Sequence, residues 1–371
     1  MTKPELRIGL IGTGFMGKAH AFGFASAPRV FDLPYDLVLH TVADVTPEAA
    51  ARAAAAFGFA EATTDWRSLV ANPQIDVVDI TAPNALHKEM ALAAIRAGKH
   101  VYCEKPLAPT AQDALEMAEA AEAAGVKTQV GFNYLCNPML ALARAMIAAG
   151  ELGDIRGYRG IHCEDYMADR SGPFTFRHDP AGGGALADIG SHALATAEYL
   201  CGPIARVMGD CVTMIGTRPD GKGGTRKVEV DDIGRAFLRF AGGATGSIEG
   251  NWIATGRKMQ HDFEVFGTKG ALAFSQEHFN VLHYFNSADA KGRQGFRRIE
   301  ASPDHAPYGL FCVAAGHQLG FNDLKAIEVA GYVNAIAGAP EPFNFRKGLR
   351  IQTLVETIQT SSREGRWLEV P

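Results

Sequence analysis

The run Gly182-Gly183-Gly184-Ala185-Leu186-Ala187-Asp188-Ile189-Gly190-Ser191-His192 places a carboxylate four residues before an imidazole. On a helix that spacing puts both side chains on one face. A carboxylate beside an imidazole is suited to general-base work. The glycines ahead of the pair let the backbone come close to a bound molecule. Two other stretches bear on this chemistry. Gly12-Thr13-Gly14-Phe15-Met16-Gly17 matches G-x-G-x-x-G, and Glu104-Lys105-Pro106 lies between it and the Asp/His pair.

The glycine fingerprint follows the apolar run Leu6 to Ile11 and opens a helical pattern, the context a dinucleotide-binding turn requires. Gly12 is expected to make the tight turn, Gly14 to let the backbone approach a pyrophosphate, and Gly17 to let helix and strand pack closely. The helix N-terminus would stabilise the phosphates. Thr13, Phe15 and Met16 complete the turn. Asp44 lies 27 residues past Gly17, at the end of the second expected strand. There it can accept hydrogen bonds from the adenosine ribose hydroxyls. A carboxylate in that place repels a 2′-phosphate, and Val45 supplies no cation, so NAD is favoured over NADP. A flavin or adenosylmethionine would be the other occupants of such a turn.

The elements that must position these groups fall into two regions. Strands are expected at Leu6 to Ile11, Leu37 to Ala43, Asp76 to Thr81, His100 to Cys103 and Lys127 to Gly131. Helices alternate with them: the one opened by the glycine turn, through Ala25, then Pro47 to Phe57, Asp65 to Ala71, Leu86 to Ala97 and Ala111 to Ala124. That alternation means a parallel sheet covered on both faces. Beyond residue 150 the pattern becomes a series of strands, Ile155 to Cys163 and then Val207 to Phe285, several of them linked by short glycine turns. Such hairpins make a mainly antiparallel sheet. Two late helices, Asp323 to Ala337 and Arg346 to Glu364, complete an α+β region. The expected fold is therefore an α/β Rossmann domain over residues 1–130 and an α+β domain with a large, mainly antiparallel open sheet over residues 131–371. The last helix could pack back on the first domain. The stretch Arg218 to Arg226, rich in glycine and charge, is expected to be mobile.

Composition narrows the function classes. At 371 residues, 47% hydrophobic and 21% charged, the chain reads as an ordinary globular protein. A net charge of −5 argues against nucleic acid as the main partner. No apolar run reaches the roughly 18 residues of a membrane span. Six scattered cysteines without Cys-x-x-Cys spacing read as reduced thiols, and with no signal-peptide h-region a cytoplasmic location is expected. The twelve histidines show no spacing such as His-Glu-x-x-His, so no metal is expected.

With these motifs in hand, the chain resembles the glucose-fructose oxidoreductase / inositol dehydrogenase / rhizopine catabolism (Gfo/Idh/MocA) family over essentially its whole length. The resemblance rests on Gly12 to Gly17, on Thr81-Ala82-Pro83-Asn84 with His87, and on Ala97-Gly98-Lys99-His100-Val101 running into Glu104-Lys105-Pro106. It continues through Asp188 and His192, Gly267-Thr268-Lys269-Gly270 and the tail Ser362-Arg363-Glu364-Gly365-Arg366-Trp367. It implies oxidation or reduction of one hydroxyl-bearing carbon of a sugar or cyclitol by a nicotinamide cofactor. Carried over, His192 removes the hydroxyl proton, Asp188 holds the imidazole and favours its protonated form, and Lys105 stabilises the developing alkoxide or relays the proton. Thr81, Pro83, Asn84 and His87 would line the cofactor. Asn133 would lie near the nicotinamide. Glu104 would touch the nicotinamide ribose or pair with a nearby cation. Many relatives carry an arginine after the Asn133-Tyr134 pair, where this chain has Leu135.

Specificity is expected from polar and aromatic groups around the glycine run. His162, Glu164 and Tyr166 alternate along a strand and its exit and share one face. Arg170, Arg177 and His178 follow, with Arg177 the first choice for a substrate contact. Tyr134, Tyr166 or Trp252 could stack on a sugar face. Substrate contacts are thus expected from Lys105, Tyr134, Glu164, Tyr166, Arg177, Asp188 and His192. The resulting reading is an NAD-dependent dehydrogenase of a small sugar or polyol. Its alternatives are an NAD-dependent glycosidase that oxidises one sugar carbon transiently and a non-catalytic dinucleotide sensor. A sheet with one face left uncovered by its own helices implies a homodimer or homotetramer.

Overall fold

The computed structural model describes residues 3–371. The chain divides into two units, one formed by residues up to Cys136 with Leu319–Arg350, the other by Asn137–Gln318 with Ile351–Pro371. The sequence placed a single boundary at residue 130. The structure instead returns a late segment to the first unit.

The first unit opens with strands β1 (Glu5–Ile11), β2 (Asp36–Ala43), β3 (Glu61–Thr63), β4 (Val77–Ile80), β5 (His100–Cys103) and β6 (Thr128–Val130). Helices α1 (Phe15–Val30), α2 (Pro47–Phe57), α3 (Trp66–Ala71), α4 (His87–Arg96) and α5 (Ala111–Ala124) connect them. The strands pair in parallel in the order β3-β2-β1-β4-β5-β6. Strand direction of winding reverses between β1 and β4, where doubly wound sheets bind ligands beyond the strands' carboxyl ends. Local signals set the helix limits. The Thr46 hydroxyl accepts from the Ala49 N–H at 3.1 Å, Pro47 fills the first turn of α2, and Gly58 closes it at φ +84°. β4 is buried along its whole length, as a central parallel strand must be.

The second unit contains α6 (Pro138–Ala148), β7 (Ile155–Cys163), α7 (Ser191–Cys201), β8 (Ile204–Val212), β9 (Thr217–Pro219), β10 (Thr225–Lys227) and β11 (Ile233–Phe240). It continues through β12 (Thr245–Asn251), β13 (Gln260–Gly267), β14 (Gly270–Ser275), β15 (Val281–Asn286), β16 (Arg297–Glu300) and α8 (Tyr308–Phe311). Helix α9 (Phe321–Ile336) belongs to the first unit; α10 (Phe345–Glu364) crosses the boundary at residue 350 and leads to β17 (Leu368–Glu369). The sheet order is β16-β15-β14-β13-β7-β12-β11-β8-β17. β7 and β12 run parallel, and the other neighbouring pairs run antiparallel. β11 alternates buried and exposed residues strictly, so one face of the sheet is covered and the other open.

Residues 218–226, expected to be mobile, instead hold the β9–β10 hairpin. Arg218 is 2% exposed, and its guanidinium donates to the carbonyls of Met167 and Asp169, both at 2.5 Å. A charged glycine-rich stretch is ordered here because one long side chain satisfies a distant loop. Helix α6 carried no expected element. Its start is marked all the same, by Asn137 accepting the Met139 N–H at 2.8 Å and by Pro138 in the first turn.

Candidate functional site

In the first unit the glycine turn is built as its spacing requires. Gly12 has φ +97°, and a side chain there would meet the Thr81 carbonyl. A Cβ on Gly17 would lie 2.2 Å from the Gly12 carbonyl oxygen, so only glycine lets α1 start against the turn. Gly14 faces open space, with no heavy atom within 4 Å of a Cβ placed there. No side chain caps α1, so its first N–H groups have no side-chain acceptor there. Asp44 directly follows β2, beside the turn. Its Oδ2 accepts from the Thr13 N–H at 3.0 Å and from the Thr13 hydroxyl, and its Oδ1 from the Val45 N–H at 2.6 Å. The Thr81 hydroxyl donates to the Gly12 carbonyl at 2.9 Å, which makes it a brace for the turn. Pro83 is exposed and Asn84 is buried at the start of a short 3₁₀ turn.

Two residues expected along the cofactor have other partners. His87 is fully buried, and its ring nitrogens lie 3.0 Å from the Pro106 carbonyl and 2.8 Å from the Ala82 carbonyl. It ties the loop after β4 to the loop after β5, and its ring has no surface left for a ligand. Of the two readings for Glu104, the cation pair is the one its contacts show. The His20 Nε2 donates to its Oε1 at 2.7 Å, and the Lys325 ammonium lies 3.1 Å from the same oxygen. Lys105, next in sequence, is half-buried. Asn133 is 3% exposed, and its Nδ2 has no hydrogen-bond partner. A buried amide left in that state suits a ligand acceptor. Tyr134 meets Phe321 edge-on at 6.1 Å, and Phe15 stacks on the same ring at 5.7 Å. Phe321 thus joins two residues the sequence singled out, although it sits nearly two hundred residues from the nearer one.

The open face at Gly14, the uncapped first turn of α1, the carboxylate of Asp44 and the unpartnered amide of Asn133 fit a nicotinamide dinucleotide. Gly12 to Gly17 would hold its phosphates, Asp44 its adenosine ribose and Asn133 its nicotinamide end.

In the second unit the Asp/His pair does not sit on one regular helix. Leu186–Gly190 form a single π-helical turn, and α7 begins only at Ser191. Turns of this kind are frequent at functional sites. Asp188 accepts at Oδ2 from the Tyr166 hydroxyl at 2.8 Å and from the Arg177 Nε–H at 2.9 Å. Tyr166 is 42% exposed as a residue, but desolvation of its hydroxyl end and the Asp188 charge push the phenol well above its usual pKa, so it remains a donor. Arg177 and Tyr166, expected to face substrate, both spend a hydrogen bond on Asp188. His192 is 5% exposed, and its ring lies 5.4 Å from His162 and 6.1 Å from His261. His162 and His261 stack almost parallel at 4.9 Å. Glu164 accepts from the His162 Nε2 at 2.9 Å. Desolvation pushes the basicity of His261 well down, which keeps it neutral beside the other two.

Three further expectations are corrected. Trp252 is fully buried with its indole N–H on Asp232 at 2.7 Å, so it backs the Tyr166 ring, 6.3 Å away, and offers no face to a sugar. His178 is likewise buried, with its Nδ1 accepting from the Thr175 N–H at 2.9 Å. The glycine run serves packing: a Cβ on Gly184 would lie 2.6 Å from Asp231 Oδ1, and one on Gly182 would lie 2.2 Å from the Phe176 carbonyl. Asp231 and His261 were missed in the sequence. Neither has a local pattern, and each is recognised only by what the fold brings it against.

Among the described residues, no group of three or more His, Cys, Asp or Glu side chains is placed to hold a metal ion. No helix among them is long and apolar enough to cross a membrane. All six cysteines are free.

Comparison with known proteins adds the following. Residues 6–132 match the oxidoreductase family with an NAD-binding Rossmann fold, and residues 140–273 match the GFO/IDH/MocA C-terminal domain. Levoglucosan dehydrogenase of Pseudarthrobacter phenanthrenivorans is 38% identical, over 99% of this chain and 98% of its own. A solved levoglucosan dehydrogenase in complex with NADH and levoglucosan superposes with a TM-score of 0.95 at 39% identity, covering 99% of each chain. Inositol 2-dehydrogenase 4 of Saccharopolyspora erythraea is 36% identical over 41% of this chain and 44% of its own.

Proposed function

This chain belongs to the GFO/IDH/MocA family of oxidoreductases, and on that premise we propose that it is an NAD-dependent dehydrogenase that oxidises a secondary hydroxyl of a sugar, with an anhydrosugar of the levoglucosan type as its first substrate to test. The observation that carries this reading is the full-length likeness to a dehydrogenase solved with NADH and levoglucosan. Held by Gly12 to Gly17, Asp44 and Asn133, a nicotinamide dinucleotide would supply the hydride acceptor for the carbon being oxidised.

The residues of this chain would divide the remaining work. His192 takes the hydroxyl proton. Asp188 orients the imidazole and stabilises it once charged. Tyr166 and Arg177 fix the Asp188 carboxylate by donating to one of its oxygens. Lys105 stabilises negative charge on the reacting oxygen; fixed charge of this kind is often a large catalytic contribution. Glu164 and the outer edges of Tyr134 and Arg177 are the groups proposed to read the rest of the sugar.

The test is NADH formation over a panel of anhydrosugars, pyranoses, inositols and acidic sugars, with bound cofactor measured first. NADH formed with at least one sugar and lost in His192→Ala supports the reading. No NADH with any sugar overturns it, and release of an aglycone without net NADH would move the assignment to the transient-oxidation glycosidase.

A homo-oligomer of cytoplasmic location completes the proposal. Its support is the open face of the large sheet, where Phe237 is 63% exposed between Arg235 and Arg239 on β11. Light scattering that finds only monomer at micromolar concentration would contradict it.

A further inference from the structure

A cluster of ionisable side chains lies buried in the first unit, directly behind Lys105. His20 comes from α1, Asp79 from β4, Tyr102 from β5, Glu104 from the residue after β5, and Lys325 and Glu328 from α9. None of the six is more than 5% exposed. The His20 Nδ1 donates to Asp79 at 2.8 Å and its Nε2 to Glu104 at 2.7 Å. The Lys325 ammonium donates to Glu328 at 2.7 Å and to Glu104 at 3.1 Å, and reaches the Tyr102 hydroxyl at 3.1 Å. Tyr102 in turn donates to Glu328.

Charges buried this deeply are costly, and apolar residues of the same volume would often hold a core as well. One contact links the cluster to Lys105. Glu104 takes His20 and Lys325 on Oε1, and its Oε2 accepts the backbone N–H of Lys105 at 3.1 Å. The same segment is held on its other side, where His87 lies 3.0 Å from the Pro106 carbonyl. Three buried carboxylates face two buried cations, and Lys105 supplies the third positive charge acting on Glu104. Lys105 is therefore the half-buried end of a charge-balanced chain that starts on α9. The carboxylate occupies the space a side chain would fill on Gly131, where a Cβ would lie 2.4 Å from Glu104 Oε1.

We propose that Lys325 is a positioning residue for the reaction, which through Glu104 fixes the backbone, and so the ammonium, of Lys105. The proposal rests on the reading of Lys105 as the group that stabilises the reacting oxygen. Removing the Lys325 charge leaves Glu328 buried without a cation and takes from Glu104 one of its two buried cations, leaving His20. Glu104 then takes up a proton or turns, and its Oε2 no longer holds the Lys105 N–H. A misplaced catalytic group costs up to about 10²-fold in rate.

The experiment compares full-length wild type, Lys105→Ala, Lys325→Met and Gly131→Ala with a sugar the wild type oxidises. NADH is titrated by fluorescence to count binding sites, and kcat is expressed per site, which removes any contribution from unfolded protein. The expected result for Lys325→Met is kcat lower by about 30- to 100-fold, with KM for the sugar and NADH affinity within about threefold of wild type. Gly131→Ala keeps every charge but displaces the Glu104 carboxylate, so it should lower kcat in the same way, and it decides the matter should Lys325→Met not fold. A kcat per site equal to wild type in Lys325→Met, or in Gly131→Ala where that variant decides, overturns the proposal. If Lys105→Ala itself keeps wild-type turnover, the reading of Lys105 fails and the proposal with it. An inactive Lys105→Ala beside an unaffected Lys325→Met rejects the positioning role alone.

Discussion

The Nε–H of Arg177 donates to Oδ2 of Asp188 at 2.9 Å, so the arginine expected to read the substrate also holds the carboxylate proposed to orient the base. Its side chain is 38% exposed, which leaves part of the guanidinium to solvent or ligand. A hydrogen bond to a charged group contributes roughly 1.5–3 kcal/mol when buried, and less at this exposure. Arg177→Ala is therefore expected to lower kcat about tenfold while NADH binding is unchanged. Steady-state kinetics with a cofactor titration checks this, and a change confined to KM would assign Arg177 to substrate binding alone.

His192→Asn should separate binding from chemistry. Positioned acid–base groups contribute roughly 10²–10⁴-fold. The variant is expected to bind NADH as the wild type does and to lose turnover by at least about 10²-fold. Single-turnover measurements at saturating sugar would reveal it. Retention of wild-type turnover would remove His192 from the mechanism.

Asp44 should control the choice between NAD and NADP. Its carboxylate follows β2 beside the glycine turn and is anchored by Thr13 and Val45. Asp44→Ser removes the charge that repels a 2′-phosphate. KM for NAD should rise about tenfold, equivalent to roughly 1.4 kcal/mol, while NADP becomes a usable cofactor. If NADP remains excluded in the variant, another residue sets the preference.

The second unit carries a pH-dependent stability contribution. Burial pushes the Asp231 carboxyl from 3.8 up to about 6. Since the folded value is raised, the stability it confers is fully present below about pH 4 and is lost as pH rises through 6. At pH 7 the buried carboxylate should cost on the order of 3 kcal/mol relative to a neutral isostere. Asp231→Asn keeps an acceptor for the Leu186 N–H, which lies 2.8 Å away in the wild type. The variant should gain in Tm over wild type at pH 7 and lose that advantage at pH 4. Equal Tm differences at both pH values would show that Asp231 does not titrate in this range.

The helix that carries His192 depends on a glycine crossing. A Cβ on Gly250 would lie 2.7 Å from the Gly190 Cα, so the π-turn and β12 meet backbone to backbone. Gly250→Ala should destabilise by about 1–3 kcal/mol through overpacking and displace His192 with the turn. Thermal unfolding and turnover should fall together. Wild-type values in both would mean that the turn relaxes without cost.

Much of the scaffold was legible because its signals are local. The limits of α2 and α5 follow from Thr46 and Pro47, and from Thr110 with Gly125 at φ +66°. The glycine turn follows from positions where a side chain cannot fit. The short strands β3, β16 and β17 and the hairpin at residues 217–227 were not legible, because too few residues carry their pattern. In the second unit the sequence singled out candidate residues but not the partners they have. His162 and Glu164 were expected to face substrate, yet Glu164 is hydrogen-bonded to His162, and His162 lies against His192.

By itself, the sequence determined the two-region fold, the family and the dinucleotide turn, and it singled out the residues proposed to carry the chemistry. Each of these depends on residue type at a fixed short spacing, which constrains the backbone before any tertiary contact forms. Only the tertiary structure decided what those residues touch. Lys325 reaches Glu104 across 221 residues at 3.1 Å, and no local pattern encodes such a meeting. It also turned the glycines before Asp188 from room for a ligand into a packing seam against Asp231. The physical reason is the same in both cases: a buried polar group must find a partner, and that partner is set by which strands and helices the fold brings together.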